Sequence, residues 1–192
     1  MIGGRVLALG PPPVTIGGMR IRPFIPACAA ALLLAAAVAG CSPTYNWRDY
    51  TSGDGSFRVL FPAKPSTHTR NIDLGGIKVD MTMTAAEVQG TTFAVGTALA
   101  PDAAMAHATL PAMRQALLRN IGATDAAPAA PSAAPGTPLD VDAIGKGNGG
   151  PVRLVGRFVV KGARMYQVIV VGNPGAMPPE HTEQFLSSFA PQ

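Results

Sequence analysis

Apolar and polar residues alternate along four short stretches between residues 57 and 99. This period-two pattern is typical of β-strands that bury one face. The clearest stretch runs from Ile77 to Ala85, where Ile, Val, Met and Ala alternate with Lys, Asp and Thr. The other three are Phe57–Phe61, Thr67–Leu74 and Thr91–Leu99. Turn signals at residues 75–76 and 89–90 connect the last three stretches, so the pattern predicts an antiparallel meander.

A helix is predicted where the apolar spacing lengthens. Apolar residues recur three or four positions apart, at Leu110, Met113, Leu117 and Ile121. The helix is best defined from Pro111 to Ile121, with Thr109 as its N-cap and Gly122 at its end. Its apolar stripe is typical of a helix that packs on a core.

Three further strands are predicted in the second half of the chain, at Leu139–Ile144, Val152–Val160 and Met165–Val171. The last two are apolar on both faces, so their hairpin around Gly162-Ala163 should lie in the centre of a sheet. Arg157 lies among valines there and requires a partner, because an unpaired buried charge is costly. A C-terminal helix is predicted to begin at Pro178-Pro179 and to turn three side chains inward, those of Phe185, Leu186 and Phe189.

The first forty residues carry a targeting pattern. Arg20 and Arg22 precede a 17-residue apolar run, Phe24–Gly40, which is short and alanine-rich for a permanent membrane span. The run ends at Val38-Ala39-Gly40-Cys41, which resembles the cleavage motif of bacterial lipoprotein precursors. The resemblance implies cleavage between Gly40 and Cys41 and acylation of Cys41. The alternatives are an ordinary secretory signal or one N-terminal membrane helix, with Cys41 incidental.

This signal divides the chain into parts. Residues 1–40 are an N-terminal extension and signal peptide, with Met19 as the expected start of translation. Residues 41–53 are the lipidated cysteine and a tether. Residues 54–192 are one globular domain with a flexible Ala/Pro loop at 123–138.

The residues that follow Cys41 bear on location. Ser42 replaces the aspartate that retains proteobacterial lipoproteins in the inner membrane, so the resemblance implies an outer-membrane lipoprotein that faces the periplasm. Two alternatives stay open for the aromatic residues Tyr45, Trp47 and Tyr50. They contact the membrane interface, or they form a first edge strand that packs Trp47 on the core.

Charge and cysteine content both change when the signal segment is set aside. The whole chain has fifteen lysines and arginines, eleven acidic residues and a pI of about 9.4. Three of the basic residues, Arg5, Arg20 and Arg22, lie within residues 1–40, which leaves twelve against eleven. The remaining chain is nearly neutral and offers no argument for nucleic-acid binding. Cys28 lies in the apolar run and Cys41 is the lipidation site, so no disulfide is expected in the domain.

No catalytic motif is present in the sequence, and we expect a non-enzymatic protein without a cofactor or metal. Its three histidines lack metal-ligand spacing, and no nucleophile motif occurs; the histidines are His68, His107 and His181. Asp140 and Asp142 lie two apart on a strand, which is commoner for exposed acids than for a carboxylate pair. Residues 145–150, GKGNGG, match GxGxxG, but a strand follows where dinucleotide binding requires a helix. We predict a glycine-rich hairpin loop there.

Short motifs occur at both ends of the domain. They read FRVLFP at 57–62 with Lys64-Pro65 after it, GRF at 156–158, RMYQV at 164–168 and FLSSF at 185–189. With the order of elements, they resemble the PsbP-like superfamily, including DcrB-like envelope lipoproteins, over about residues 45–190. The resemblance implies an α+β fold, an α/β/α sandwich around an antiparallel sheet of about six to eight strands. It also implies an accessory protein that binds other proteins, although the GKGNGG segment departs from the family pattern.

Two hypotheses for function follow. The leading one is a lipid-anchored, non-enzymatic module that docks on another envelope protein. Its best candidate surface is basic, and the alternative for that surface is a solvated hairpin end; the residues are Arg153, Arg157, Lys161 and Arg164. The second hypothesis is a periplasmic carrier of a small apolar ligand or lipid. A well-formed apolar cavity favours the carrier, whereas a packed core with an exposed apolar patch favours docking.

Overall fold

A computed structural model describes residue 10 and residues 44–74, 76–123, 137–147 and 149–192. All the described strands and helices lie in one compact unit, Pro43–Gln192, which contains its own hydrophobic cores. The signal segment, the lipidation site Cys41 and most of the Ala/Pro loop lie outside the described residues.

No helix among the described residues is long and apolar enough to cross a membrane.

The described residues of this unit form nine strands and two α-helices. In chain order they are β1 Arg48–Thr51, β2 Phe57–Phe61, β3 Ser66–Asp73, β4 Lys78–Val88, β5 Thr91–Leu99, α1 Ala103–Asn120, β6 Leu139–Gly147, β7 Gly150–Lys161, β8 Arg164–Gly172, α2 Pro179–Ser188 and β9 Ala190–Pro191. A short 3₁₀ turn at Pro174–Ala176 precedes α2. Both predicted helices and all the predicted strands are present, so the α+β class is confirmed.

The strands form two antiparallel sheets and not one. Six strands follow the order β3-β4-β5-β8-β7-β6, and β1, β2 and β9 form a smaller sheet. The six-stranded sheet agrees with the expected antiparallel sheet of about six to eight strands, whereas the second, three-stranded sheet was not predicted. β2 leaves the meander because it pairs with β1 and β9 and lays its alternating Phe57, Val59 and Phe61 into a buried layer.

The tether prediction is also wrong beyond residue 44. Strand β1 lies inside residues 41–53 and pairs with β2. Before β1, the rings of Tyr45 and Trp47 lie 6.3 and 6.2 Å from that of Phe93. The alternative of a first edge strand that packs Trp47 on the core is thus confirmed. Burial of these rings outweighs the polar character of their neighbours.

Each face of the six-stranded sheet has its own core. The α1-side core unites helix residues such as Met113 and Leu118 with Leu154, Phe158 and Met165 of the sheet. The α2-side core lies between the sheet and the layer formed by α2 and the small sheet; it contains Phe57, Val59, Phe61, Phe93, Val95, Tyr166, Val168, Val170 and Phe185. Cross-strand partners point to the same face, which assigns every strand position to one core or the other.

The central hairpin matches its prediction in register. Val160 faces Met165 and Leu154 faces Val171, while Val159 faces Tyr166 on the other side. β8 lies between β5 and β7, so both its faces are covered. Arg157 has the partner that its position required, since it forms a bidentate pair with Asp140.

Helix α1 begins eight residues before the predicted start. Asp102 is its N-cap, and its carboxylate accepts from the Met105 N–H at 2.7 Å. Thr109 is not a cap, because it lies inside the helix and its hydroxyl donates to the Met105 carbonyl at 2.7 Å. Pro111 misled the prediction: a proline favours a first turn, but here it lies within the helix on an exposed position.

The glycine-rich segment is a hairpin, as predicted. β6 ends at Gly147 and β7 begins at Gly150, so no helix follows the GxGxxG pattern. A Cβ on Gly145 would overlap the carbonyl oxygen of Ile121 at the end of α1. The first glycine of the pattern thus allows the helix terminus to approach the strand, a packing role that explains it without a nucleotide.

Candidate ligand-binding groove

An open groove of about 590 Å³ lies between α1 and the β3–β4 side of the six-stranded sheet. Its lining is mostly Met, Leu, Ile and Val from three directions. Helix α1 supplies Met113, Ala116, Leu117, Asn120 and Ile121; β3, β4 and the residue after β3 supply His68, Arg70, Ile72, Leu74, Met81 and Met83; β7 and β8 supply Leu154, Gln167, Ile169 and Val171. Such a volume falls within the range of about 300–1,000 Å³ that is usual for small-molecule sites.

The position of α1 creates the groove. The helix packs closest on β6, β7 and β8, which form one half of the sheet. β3 lies at the opposite edge and is exposed over nearly its whole length. Between them, β5 presents small residues to this face, at Ala94, Gly96 and Ala98. The side chains of β3 and β4 therefore form a second wall, and the space between this wall and the helix stays open.

A buried amide lies in the floor of the groove. Gln167 is 6 % exposed, and its Nε2 donates to Sδ of Met83 at 3.2 Å. The two side chains cross above Gly96, where a Cβ would lie 2.6 Å from Gln167 Cγ and from Met83 Sδ. A thioether sulfur is a weak acceptor, so Gln167 gives an otherwise apolar floor one polar group with hydrogen-bonding capacity to offer.

The rim of the groove carries an arginine and a histidine. His68 and Arg70 lie two apart on β3 and point to the groove side, because their cross-strand partners are Met83 and Met81. Arg70 forms no ion pair or hydrogen bond with another described residue. None of the described lining residues is an aspartate or glutamate.

The predicted basic surface lies on the other face of the sheet, and its three arginines form ion pairs with aspartates. All four side chains have partners within the protein: Arg153 with Asp142 at 2.7 Å, Arg157 with Asp140 at 2.7 Å, Arg164 with Asp54 at 3.0 Å, and Lys161 with the Pro191 carbonyl at 3.2 Å. The two aspartates of β6, predicted as exposed acids, thus serve as ion-pair partners. Little free positive charge remains there for an acidic partner.

The pKa shifts agree with these pairs. Hydrogen bonding to Arg153 lowers the pKa of the Asp142 carboxyl, and hydrogen bonding to Asp142 raises the pKa of the Arg153 guanidinium. Asp140 raises the pKa of Arg157 in the same way. Each pair is partly exposed, so each adds less than about 1 kcal/mol to stability.

The histidines do not assemble a site. His68 lies on β3, His107 on α1 and His181 on α2, where its ring lies 3.8 Å from that of Tyr45. No group of three metal-ligating side chains forms within the part of the chain that the structure describes.

The carrier hypothesis includes a pocket between the sheet and the helices, but the sequence did not predict which residues line it. Met113 and Leu117 were assigned to the core, and Met81 and Met83 to the buried face of a strand. Both assignments are correct as to face, but Leu117 and Met83 are only partly buried. No local pattern distinguishes an apolar residue under a helix from one beside it.

No protein-family model matches this sequence, and no curated protein matches it. Family and function therefore rest on the residues and their geometry.

Proposed function

We propose that this protein is a non-enzymatic envelope lipoprotein of the PsbP-like type, anchored through Cys41, whose groove binds an apolar ligand or lipid. It stands on the outer membrane and faces the periplasm. The layered arrangement, with α1 on one face of an antiparallel sheet and α2 on the other, supports the PsbP-like assignment.

The groove is the observation that carries the ligand-binding proposal. It is lined by ten apolar side chains larger than alanine within the described chain, and it opens to solvent beside an exposed edge strand. Binding of an apolar ligand there removes apolar surface of both the ligand and the groove from water, which stabilises the complex by about 25 cal/mol per Å². By contrast, the large apolar side chains exposed elsewhere in the described residues are those of Leu99, Met105 and Ile144, on three different elements.

The anchor adds a source of ligand. Four peptide units separate Cys41 from Tyr45, the first residue with a ring packed in the fold. A chain of that length spans at most about 15 Å, so acylation of Cys41 holds the domain beside the bilayer. Apolar molecules in that bilayer are then a nearby source of ligand.

Methyl NMR tests the groove directly. Residues 43–192 are labelled with ¹³C-methyl methionine and titrated with the uncharged amphiphile 1-monododecanoylglycerol below its aggregation concentration. The expected result is a saturable shift of the groove methyl groups, those of Met81, Met83 and Met113. The methyl group of Met177, which lies in the α2-side core, should not move.

A pair of alanine-to-phenylalanine variants supplies the control. Ala116 lines the groove, so Ala116→Phe fills it and should weaken binding at least tenfold. Ala108 is an exposed position of the same helix, so Ala108→Phe should bind like the wild type. Absence of any groove methyl shift in the wild type, or undiminished binding by Ala116→Phe, would refute ligand binding.

Docking on an envelope protein is the second candidate function, and one observation favours it. β3 is an eight-residue edge strand with both faces largely exposed, and such an edge can accept a strand from a partner. A photo-crosslinking residue at Thr69 should then capture a specific envelope protein in cells, whereas the same residue at Ser187 of α2 should not. Equal yields from both positions would count against this interface.

The anchor has its own test. Cys41→Ala should leave the protein unprocessed or release it from membranes, whereas Cys28→Ala should be processed and fractionate normally. Unchanged fractionation of Cys41→Ala would disprove lipidation.

A further inference from the structure

We infer that the groove binds a single-chain amphiphile with a carboxylate head, of the fatty-acid class, and that Arg70 binds the carboxylate. This inference rests on the proposed ligand-binding function and specifies its ligand.

The charge around the groove selects the head group. Four other strand or hairpin arginines each have a carboxylate within 3.0 Å, namely Arg58, Arg153, Arg157 and Arg164. Arg70 has no such partner among the described residues, and the described lining contains no acidic side chain to repel an anion. A guanidinium binds a planar carboxylate through two parallel hydrogen bonds.

The position of Arg70 suits a head group at the mouth of an apolar site. The residue is exposed on the edge strand, directly opposite Met81, which is 5 % exposed. His68 follows the same face about 7 Å away along the strand. A ligand with its carboxylate at Arg70 therefore keeps its charge in water while its tail enters the groove.

The lining suits a flexible alkyl tail. Three methionines border the groove, Met81, Met83 and Met113, and methionine side chains adapt to the shape of an apolar ligand. The described lining offers only four polar side chains, two of which, His68 and Arg70, lie at the rim. A folded or extended peptide would bring more amide groups than these can satisfy, so an alkyl chain is the better occupant.

The experiment compares head groups on one chain length. Residues 43–192 are titrated with dodecanoate, 1-monododecanoylglycerol, dodecyltrimethylammonium and dodecyl phosphate, each below its micelle concentration, with the groove methionine methyls as the signal. Dodecanoate should bind roughly 3- to 10-fold more tightly than the neutral glycerol ester, since Arg70 is exposed and its contribution is screened. Raising the salt concentration should reduce that preference.

Variants locate the head group. Arg70→Gln should abolish the preference for dodecanoate and leave binding of the glycerol ester unchanged. Arg48→Gln, which makes the same change at an exposed position on β1, should keep the preference. Decanoate should bind about 15-fold more weakly than dodecanoate, because each buried methylene contributes a factor of about four.

The outcomes separate the inference from the function beneath it. Equal affinity for the anionic and neutral ligands, a preference for the cation or for the phosphate, or a preference that survives Arg70→Gln would overturn the inference while the groove remains a ligand site. Failure of all four amphiphiles to shift the groove methyls would overturn both.

Discussion

The two faces of the six-stranded sheet are completed differently. On the α2 side, aromatic rings pack in a closed layer. The ring centre of Phe185 lies 5.4 Å from those of Phe61 and Phe93, and the ring centre of Tyr166 lies 5.3 Å from that of Phe189. On the α1 side, the described core has one aromatic residue, Phe158, among aliphatic and methionine side chains. A single helix covers only part of that face. The aromatic face is built for stability, and the aliphatic face leaves room for a ligand.

The polar groups do not follow the same division. On the α2 side the Tyr166 hydroxyl donates to the Ser56 carbonyl at 2.8 Å, but the Tyr45 hydroxyl and His181 Nδ1 are buried without a partner among the described residues. The groove side leaves Arg70 without a partner among the described residues and gives Gln167 only a sulfur acceptor. What distinguishes the groove side is that its unused hydrogen-bonding capacity lies beside an open apolar surface, as a binding site requires.

The largest expected effect is on the closed face. Phe185 is fully buried, so Phe185→Ala should destabilise the domain by about 3–5 kcal/mol through lost burial and a residual cavity. Leu117 borders the groove and is only partly buried, so Leu117→Ala should cost about 1 kcal/mol. Urea unfolding followed by circular dichroism measures both. Equal losses would mean that the groove is closed in solution and that the contrast between the faces is false.

The next effect concerns how α1 is held at the groove. Gly145→Ala places a methyl group against the Ile121 carbonyl oxygen and should cost about 3 kcal/mol by overpacking. Gly149 belongs to the same hairpin and has no atom near its missing Cβ, so Gly149→Ala should change stability by less than about 0.5 kcal/mol. The same urea unfolding series separates them. A tolerated Gly145→Ala would show that the end of α1 can move, and the groove with it.

A smaller loss is expected from one hydroxyl group on the closed face. Tyr166→Phe removes one donor to the Ser56 carbonyl, which still accepts from the Gln192 N–H at 2.8 Å, so the loss should be that of a single hydrogen bond, about 0.5–1.5 kcal/mol. Tyr50 packs on Phe61 but its hydroxyl forms no hydrogen bond with another described residue, so Tyr50→Phe is the matched control and should be nearly neutral. Thermal unfolding of both variants decides whether hydrogen bonding or ring packing joins the small sheet to β8.

Sequence periodicity predicts a strand best where only one face is buried, as in β4, whose buried and exposed positions alternate along much of the strand. The bounds of β5 match the predicted Thr91–Leu99, and the turn before it has the two positive φ angles of a tight hairpin, 50° at Gln89 and 73° at Gly90. Leu99 is the exception within that strand. It lies on the same face as Phe93 and Val95, yet it is 59 % exposed, because the strand extends beyond the core that covers the other two.

The groove and the start of α1 were beyond the reach of local pattern. Asp102 begins the helix as its N-cap, but the alanines after it carry no periodic signal. The groove depends on which strands α1 covers, and the lateral position of a helix on a sheet is a tertiary property. In the sequence, Arg70 is one more charged residue on an exposed strand, and only the tertiary structure shows that it lies at the rim of the groove.

The smallest expected effect is the loss of stability in acid, which should arise on the α2 side of the sheet. Asp54 belongs to the turn between β1 and β2. The Ser56 hydroxyl, then the Ser52 hydroxyl and the Ser56 N–H, together with Arg164, hold the pKa of the Asp54 carboxyl down to about 2, against an opposing effect of burial. The Asp54 carboxylate forms an ion pair with the guanidinium of Arg164 at 3.0 Å, which links this turn to β8.

The sign of the pH dependence follows from that depressed pKa. The folded state binds the Asp54 proton more weakly than the unfolded state, whose value is near 3.8, so the stabilisation is present above about pH 4 and is lost as the pH falls towards 2. Asp54 is half exposed, so the loss should stay below about 1 kcal/mol after solvent screening. Urea unfolding between pH 5 and pH 2 should show a shallower acid limb for Asp54→Asn than for the wild type. An identical limb would place the acid sensitivity elsewhere than in this turn.

The groove methionine methyls should meanwhile keep their chemical shifts across the Asp54 titration, because the turn that loosens lies on the opposite face of the sheet.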